Sequence, residues 1–177
     1  FRRVLFRSHE HKFLLSYFEK HPDLILDGEL YVHGKTLQQI SGCVRLTSGE
    51  LPFKVQYYVY DIMEDKPFKE RLQNLSTLEK DLNLPSFDSE RTYEDGSLPI
   101  QILPHVYVKD KNKTESIWKI HDLYVSEGFE GCVARDENAS YKNGGRDSRM
   151  IKFKNYRDPH RILFYLSYIL NLFPLVN

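Results

Sequence analysis

Residues 126–154 read SEGFEGCVARDENASYKNGGRDSRMIKFK. Two runs rich in apolar and aromatic residues, 129–135 and 150–156, flank a polar stretch holding the Gly-rich turn NGGRDS. That pattern predicts two strands joined by a turned connection. Strand side chains alternate faces, so Lys152 and Lys154 share one face, while Ile151 and Phe153 face the other way into a core. Glu130 stands between Gly128 and Gly131, with Cys132 on its own face and Phe129 and Val133 opposite.

Upstream the same reading gives strands separated by helices. Residues 9–21 carry a helical apolar stripe (Phe13, Leu14, Tyr17, Phe18), with Ser8 as N-cap and Pro22 closing it. Residues 24–32 read as a strand kinked at Gly28, with Asp27 and Glu29 on one face. A short helix follows at 36–45, then the strongest strand at 54–63, KVQYYVYDIM. Pro67 sits where a first helical turn begins, and 68–82 continues as an amphipathic helix. Residues 83–99 form a polar loop, 100–108 a strand, and 114–127 a helix with Thr114 as N-cap and Gly128 just past its end. The class expected is α+β, without internal repeats.

Composition sets the outer limits. The 177 residues are 41% hydrophobic and 28% charged, which excludes a disordered or collagen-like chain. Lys+Arg and Asp+Glu are 25 each, so a wholly basic nucleic-acid coat is excluded but a local basic groove is not. Residues 142–157 supply that groove: Lys142, Arg146, Arg149, Lys152, Lys154 and Arg157 against Asp147, a net of +5. Contacts of this kind bind a phosphate backbone without reading sequence. A second cluster, Lys109, Lys111 and Lys113, reads equally well as a solvated loop. Two cysteines without a Cys-x-x-Cys favour a reducing, cytoplasmic setting and give no disulfide framework or zinc site.

Charge on the strand faces suggests chemistry. A pocket lined by Asp27, Glu29 and Glu130 together with Lys152 and Lys154 suits a polyphosphate with a divalent metal. Carboxylates are hard Mg²⁺ ligands and ammonium groups neutralise phosphate. Each element also has a plainer reading. Lys-x-Lys on a strand is often a solvated face, Asp-Gly-Glu is often a turn, and a Glu between glycines can line one.

Three ordered stretches carry a family resemblance: LDGELYVHGKTLQQISGCVR, QYYVYDIMEDKPFKERLQNL, and SEGFEGCVARDENASYKNGGRDSRMIKFKNYRD. Together they resemble the ATP-dependent DNA ligases, above all the small enzymes of phages, large DNA viruses and bacteria. These are covalent nucleotidyltransferases, as are RNA ligases and mRNA-capping enzymes. The resemblance implies an α+β nucleotidyltransferase domain, an ATP-grasp-like ligase adenylation domain with antiparallel sheets flanked by helices, over residues 9–158. It implies ATP (AMP) and Mg²⁺ or another divalent cation as cofactors, and nicked duplex DNA as partner of a monomer that has no membrane role. Glu29 matches a glutamate that contacts ribose and supports the metal, with Asp27 its partner. Tyr60 matches the aromatic that stacks on adenine, and Asp61 the structural acid beside it. Glu130 matches a metal-site glutamate, and Lys152 and Lys154 match lysines on the nucleotide phosphates. Arg146 resembles an arginine near the phosphate or the nicked strand, and Arg149 and Lys142 join it as DNA contacts.

The chain also departs from the family pattern. The family nucleophile lies in Lys-x-Asp-Gly, and no such tetrapeptide occurs here. The expectation is a fragment that lacks this lysine and the oligonucleotide-binding barrel, and that cannot adenylate itself. Residues 1–8 (FRRVLFRS) read as a non-native leader. The apolar tail 159–177 reads as a buried terminal helix or an out-of-frame sequence rather than a membrane anchor. An RNA ligase or capping-type enzyme, and a non-catalytic nucleotide- or DNA-binding module, remain the alternative readings.

Overall fold

The apolar runs pair into two sheets. The computed structural model describes residues 12–46, 54–88, 99–109, 113–144, 147–154 and 167–170. Helix α1 (Lys12–Lys20) leads into β1 (Leu26–Tyr31), then α2 (Leu37–Arg45), β2 (Gln56–Ile62), α3 (Phe68–Asp81) and β3 (Ile100–Ile102). There follow β4 (Val106–Val108), α4 (Lys113–Ser126), β5 (Gly131–Asp136), β6 (Met150–Lys154) and β7 (Ser167–Leu170). The first sheet has the order β1-β2-β3 and the second β4-β7-β5-β6. The α+β class is as expected. Each sheet holds one antiparallel pair, β1 with β2 and β5 with β6, while the other pairings are parallel, so the sheets are mixed.

Local chemistry explains the boundaries. Thr36 caps α2 with a capping box: its hydroxyl accepts from the Gln39 N–H at 3.3 Å, and the Gln39 side chain accepts from the Thr36 N–H at 2.8 Å. Helix α4 closes at Gly128, which has φ +92°. The Gly128 N–H donates to the Val125 carbonyl (3.1 Å) and the Phe129 N–H to the Tyr124 carbonyl (2.9 Å), a Schellman closure. That turn drops Phe129 into the core and sets Glu130 at the mouth of β5.

Strand β2 is buried on both faces, except at Tyr60. On one side α3 contributes Leu75 and Leu78 to a cluster with Val59, Ile62 and Ile100. On the other, Ile40 and Cys43 of α2 join Tyr31, Tyr58 and Phe129. Phe129 thereby fastens the start of β5 to the first sheet. A third cluster packs Ile117 of α4 on Cys132 and Ala134 of β5 and Val108 of β4.

Four expectations need correction. Residues 100–108 are two strands in different sheets, because Pro104 has no N–H with which to continue a ladder. Thr114 lies inside α4, which begins at Lys113. Ile151 is 48% exposed rather than in a core, because the cover on that face, the Ile117 cluster and Trp118, is met by Phe153 instead. Ser167–Leu170, in a tail read as a buried terminal helix or an out-of-frame sequence, is strand β7; a short apolar run does not separate helix from strand by periodicity. Ser8 lies outside the described residues, as do residues 1–8 and most of the tail. Among the described residues no helix is long and apolar enough to cross a membrane.

Candidate functional site

The site lies where side chains of β1 and β2 and of β5 and β6 line one cavity. In β1, Asp27 pairs with Asp61 but Gly28 pairs with Val59, so Tyr60 is the extra residue of a β-bulge. A bulge bends a strand and re-aims its side chain, and Tyr60 turns into a cavity of about 270 Å³. Gly28 is required beside it, because a Cβ there would stand 2.4 Å from the Tyr58 carbonyl oxygen. In β6, Lys154 lies opposite Gly131 and Lys152 opposite Val133. Gly131 lets these strands approach: a Cβ there would meet the Phe153 carbonyl oxygen at 2.0 Å.

Charged groups from distant parts of the chain gather here. The Lys154 ammonium stands 3.7 Å from Glu130 Oε2. Burial pushes the Glu29 carboxyl up to about 7; the neighbouring Glu130 adds to the rise and Lys152 opposes it. Glu130 is also raised, by burial first, with Lys154 and then Lys152 pulling it back. Burial and the charge of Glu130 both raise Glu29, and a carboxylate pair of this kind is a place where a cation is favoured. Among the described residues no group of three or more His, Cys, Asp or Glu side chains could hold a metal ion. A pair of carboxylates still suits Mg²⁺, which retains waters and takes substrate phosphates as further ligands.

Asp27, Tyr60, Lys142, Arg149 and Lys152 line the cavity, whereas Glu29, Glu130 and Lys154 do not. Lys152 therefore belongs to both groups: it lines the cavity and acts on both glutamates. Asp27 accepts a hydrogen bond from the Tyr141 hydroxyl at 2.9 Å, which ties the β5–β6 connection down over β1. Arg149 is paired with Asp147 at 3.4 Å. Arg146 lies outside the described residues.

Beneath the cavity is a buried ion network that sequence reasoning did not assemble. Asp61, 0% exposed, accepts from Arg71 Nε (2.7 Å), Arg71 Nη2 (3.0 Å) and Arg135 Nη1. Arg71 also donates to the Ala139 carbonyl at 2.9 Å. Its guanidinium lies over the rings of Phe68 and Tyr141. One signal was available: Arg71 occupies an apolar-stripe position of α3 with Phe68, Leu75 and Leu78, where an arginine needs a buried anion. Arg135 and Tyr141 carried no such mark in the sequence.

This geometry offers an aromatic-walled cavity at one end, a carboxylate pair with a lysine at the other, and Lys152 between. A base-bearing polyphosphate would span it. Comparison with known proteins bears on the same stretch of chain. The family model described as "ATP dependent DNA ligase domain" matches residues 7–154. DNA ligases of two African swine fever virus isolates, from a Kenyan pig and a Malawian tick, are 28% and 31% identical over 137 residues. Those alignments cover 76% of this chain and 27% of each viral protein, so the chain spans about a quarter of the length of these relatives. A solved structure titled "New Crystal Structure of Chlorella Virus DNA Ligase-Adenylate" aligns over 66% of this chain and 40% of its own, with 24% identity and a TM-score of 0.45. With most of its length, residues 7–154, matched by that family model, the chain belongs to the ATP-dependent DNA ligase domain family.

Proposed function

We propose that this chain is the nucleotide-holding part of an ATP-dependent DNA ligase that seals nicks in duplex DNA through enzyme-AMP and DNA-adenylate intermediates. The observation that carries the reading is the position of Lys152, shared between the Tyr60 cavity and the Glu29–Glu130 pair.

In this reading the adenine enters the cavity and stacks on Tyr60, with Asp27 at the cavity wall. Glu29 accepts from the ribose. Lys152 and Lys154 offset charge on the phosphates, which is where phosphoryl and nucleotidyl transfer need stabilisation. Glu29 and Glu130 would hold Mg²⁺, which when bound supplies Lewis-acid polarisation of phosphate oxygens. Lys142, Arg146 and Arg149 contact the DNA backbone. In the parent reaction a lysine attacks the α-phosphate of ATP and pyrophosphate leaves. The AMP then passes to the 5′-phosphate at the nick, and the 3′-hydroxyl displaces it. Positioning and charge neutralisation are what these residues contribute to each transfer.

The direct test is equilibrium binding of ATP to the 177-residue chain, beside Tyr60→Ala and Lys152→Ala. Loss of base stacking costs about 1–3 kcal/mol, so Tyr60→Ala weakens ATP by roughly fivefold or more. Unchanged affinity in both variants would refute the reading. The chain contains no Lys-x-Asp-Gly tetrapeptide. Incubation with α-labelled ATP and Mg²⁺ is therefore expected to leave no label on the denatured protein, and a labelled band would refute the assignment of the nucleophile to that motif.

A further inference from the structure

We propose that Arg135 and His105 are positioning residues for the nucleotide base: they fix the ring and backbone of Tyr60, so that its stacking face is set before the ligand arrives. The inference rests on the nucleotide reading of the cavity.

Several independent contacts converge on Tyr60. The bulge removes it from register with β1. The neighbouring chain leaves the first sheet just after the Leu103 N–H donates to the Val59 carbonyl, and Pro104 has no N–H to extend that ladder. The backbone of Tyr60 is instead met by the side chain of His105, which shares a hydrogen bond with it. The ring of Tyr60 is met by the Arg135 guanidinium, 5.6 Å from the ring centroid. Arg135 is itself held by Asp61, the residue after Tyr60, and Asp61 is held by Arg71. Phe68 packs between the two positioning residues, 5.0 Å from the Arg135 guanidinium and 5.9 Å from the His105 ring.

The polar atoms of the pair are complementary. Burial and the nearby Arg135 hold His105 down to about 4, so its ring is neutral near pH 7. A neutral imidazole that gives its one N–H to a carbonyl has an acceptor nitrogen left over. His105 Nε2 and Arg135 Nε are both buried without a hydrogen-bond partner among the described residues, one an acceptor and one a donor. Such atoms cost stability unless the arrangement has a use, and unmatched groups cluster where function sets the geometry. A rigid ring loses little freedom when a base stacks on it, and that preorganisation is the gain.

The test separates base binding from phosphate binding. ATP and inorganic tripolyphosphate are titrated into the wild-type chain and into Arg135→Met, Arg135→Lys and His105→Leu. Arg135→Met leaves Asp61 paired with Arg71, and Arg135→Lys keeps a cation near the ring. The expected result is a loss of about fivefold or more in ATP affinity for Arg135→Met and His105→Leu, with tripolyphosphate affinity unchanged and Arg135→Lys recovering most of the ATP affinity. In a Tyr60→Ala background, Arg135→Met should cost nothing further. A parallel loss of tripolyphosphate affinity, or an undiminished effect in the Tyr60→Ala background, would show general damage and overturn the proposal. Should Arg135→Met fail to fold, His105→Leu carries the same two outcomes. A wild-type chain that binds neither probe would end the nucleotide reading and this inference with it. Binding of both probes with ATP unaffected by the variants would end the inference alone.

Discussion

Glu29→Gln should make the folded chain more stable at alkaline pH while removing a group the proposed reaction uses. Glu29 sits in β1, partly buried, facing Glu130. Its carboxyl is raised from 4.5 to about 7, chiefly by burial, then by Glu130, against the pull of Lys152. A folded-state pKa above the unfolded one means that the native state holds its proton more tightly. Stability therefore falls as pH rises from about 4.5 through 7, and the whole cost is present above 7. At 1.36 kcal/mol per pKa unit the displacement is worth about 3 kcal/mol at most. Glu29 retains substantial solvent contact, and screening brings a realistic figure to about 1–2 kcal/mol. Glutamine has nearly the same shape and no charge. Urea unfolding followed by circular dichroism at pH 8.5 should show the variant more stable by about 1–2 kcal/mol, with the gain shrinking toward zero as pH approaches 5. Glu130, also raised, titrates in both proteins and its share cancels to first order. A stability difference that does not change between the two pH values, or a loss at pH 8.5, would refute the claim that these carboxylates repel one another in a desolvated site.

The remaining predictions concern the frame and the basic face. Asp61→Asn leaves the guanidiniums of Arg71 and Arg135 buried without an anion, and thermal or urea unfolding should register a loss of about 3–5 kcal/mol; a loss under about 1 kcal/mol would show the network to be dispensable. Gly131→Ala combines a φ of +149° with a Cβ 2.0 Å from the Phe153 carbonyl oxygen. It should cost at least about 2 kcal/mol and expose the β5–β6 amides to hydrogen exchange, and near-native protection would contradict the close approach. Lys142→Gln and Arg149→Gln should each weaken duplex DNA binding equally across sequences and lower the slope of log affinity against log salt by about 0.9, as read by fluorescence anisotropy; an unchanged slope would remove those residues from the DNA face.

How much of this was legible in the sequence depends on the range over which each signal acts. The capping box of α2, the Schellman closure at Gly128 and the buried strand β2 are local, and residues within a few positions of one another specify them. Strand alternation is local too, and the expectation that Lys152 shares a face with Lys154, and Asp27 with Glu29, rests on it alone; of these four, Asp27 and Lys152 line the cavity. Pro104 was equally local and its consequence followed from backbone chemistry, yet the apolar residues on either side of it masked the break. Residues 167–170 were ambiguous for a different reason, since a short apolar run satisfies a buried strand as well as a helix and only partners decide.

The ion network was harder to read because its members have no fixed spacing. Asp61, Arg71 and Arg135 come from β2, α3 and β5, and nothing in any one segment requires the other two. What the sequence does contain is one misfit, an arginine in the apolar stripe of α3; Arg135, buried near the end of β5, has no such mark. Each would be costly alone, and together they leave one positive charge in excess of Asp61. That excess lies under Tyr60 and beside Asp27, at the wall of the cavity rather than in the apolar clusters. Replacing such a network with packed hydrocarbon of similar volume is often neutral or stabilising. Its place next to a re-aimed tyrosine, with the Glu29–Glu130 pair nearby, fits a frame that fixes the Tyr60 ring rather than one that binds phosphate. Glu29 adds to that cost at the same place in the fold, since its carboxyl is held partly buried beside Glu130.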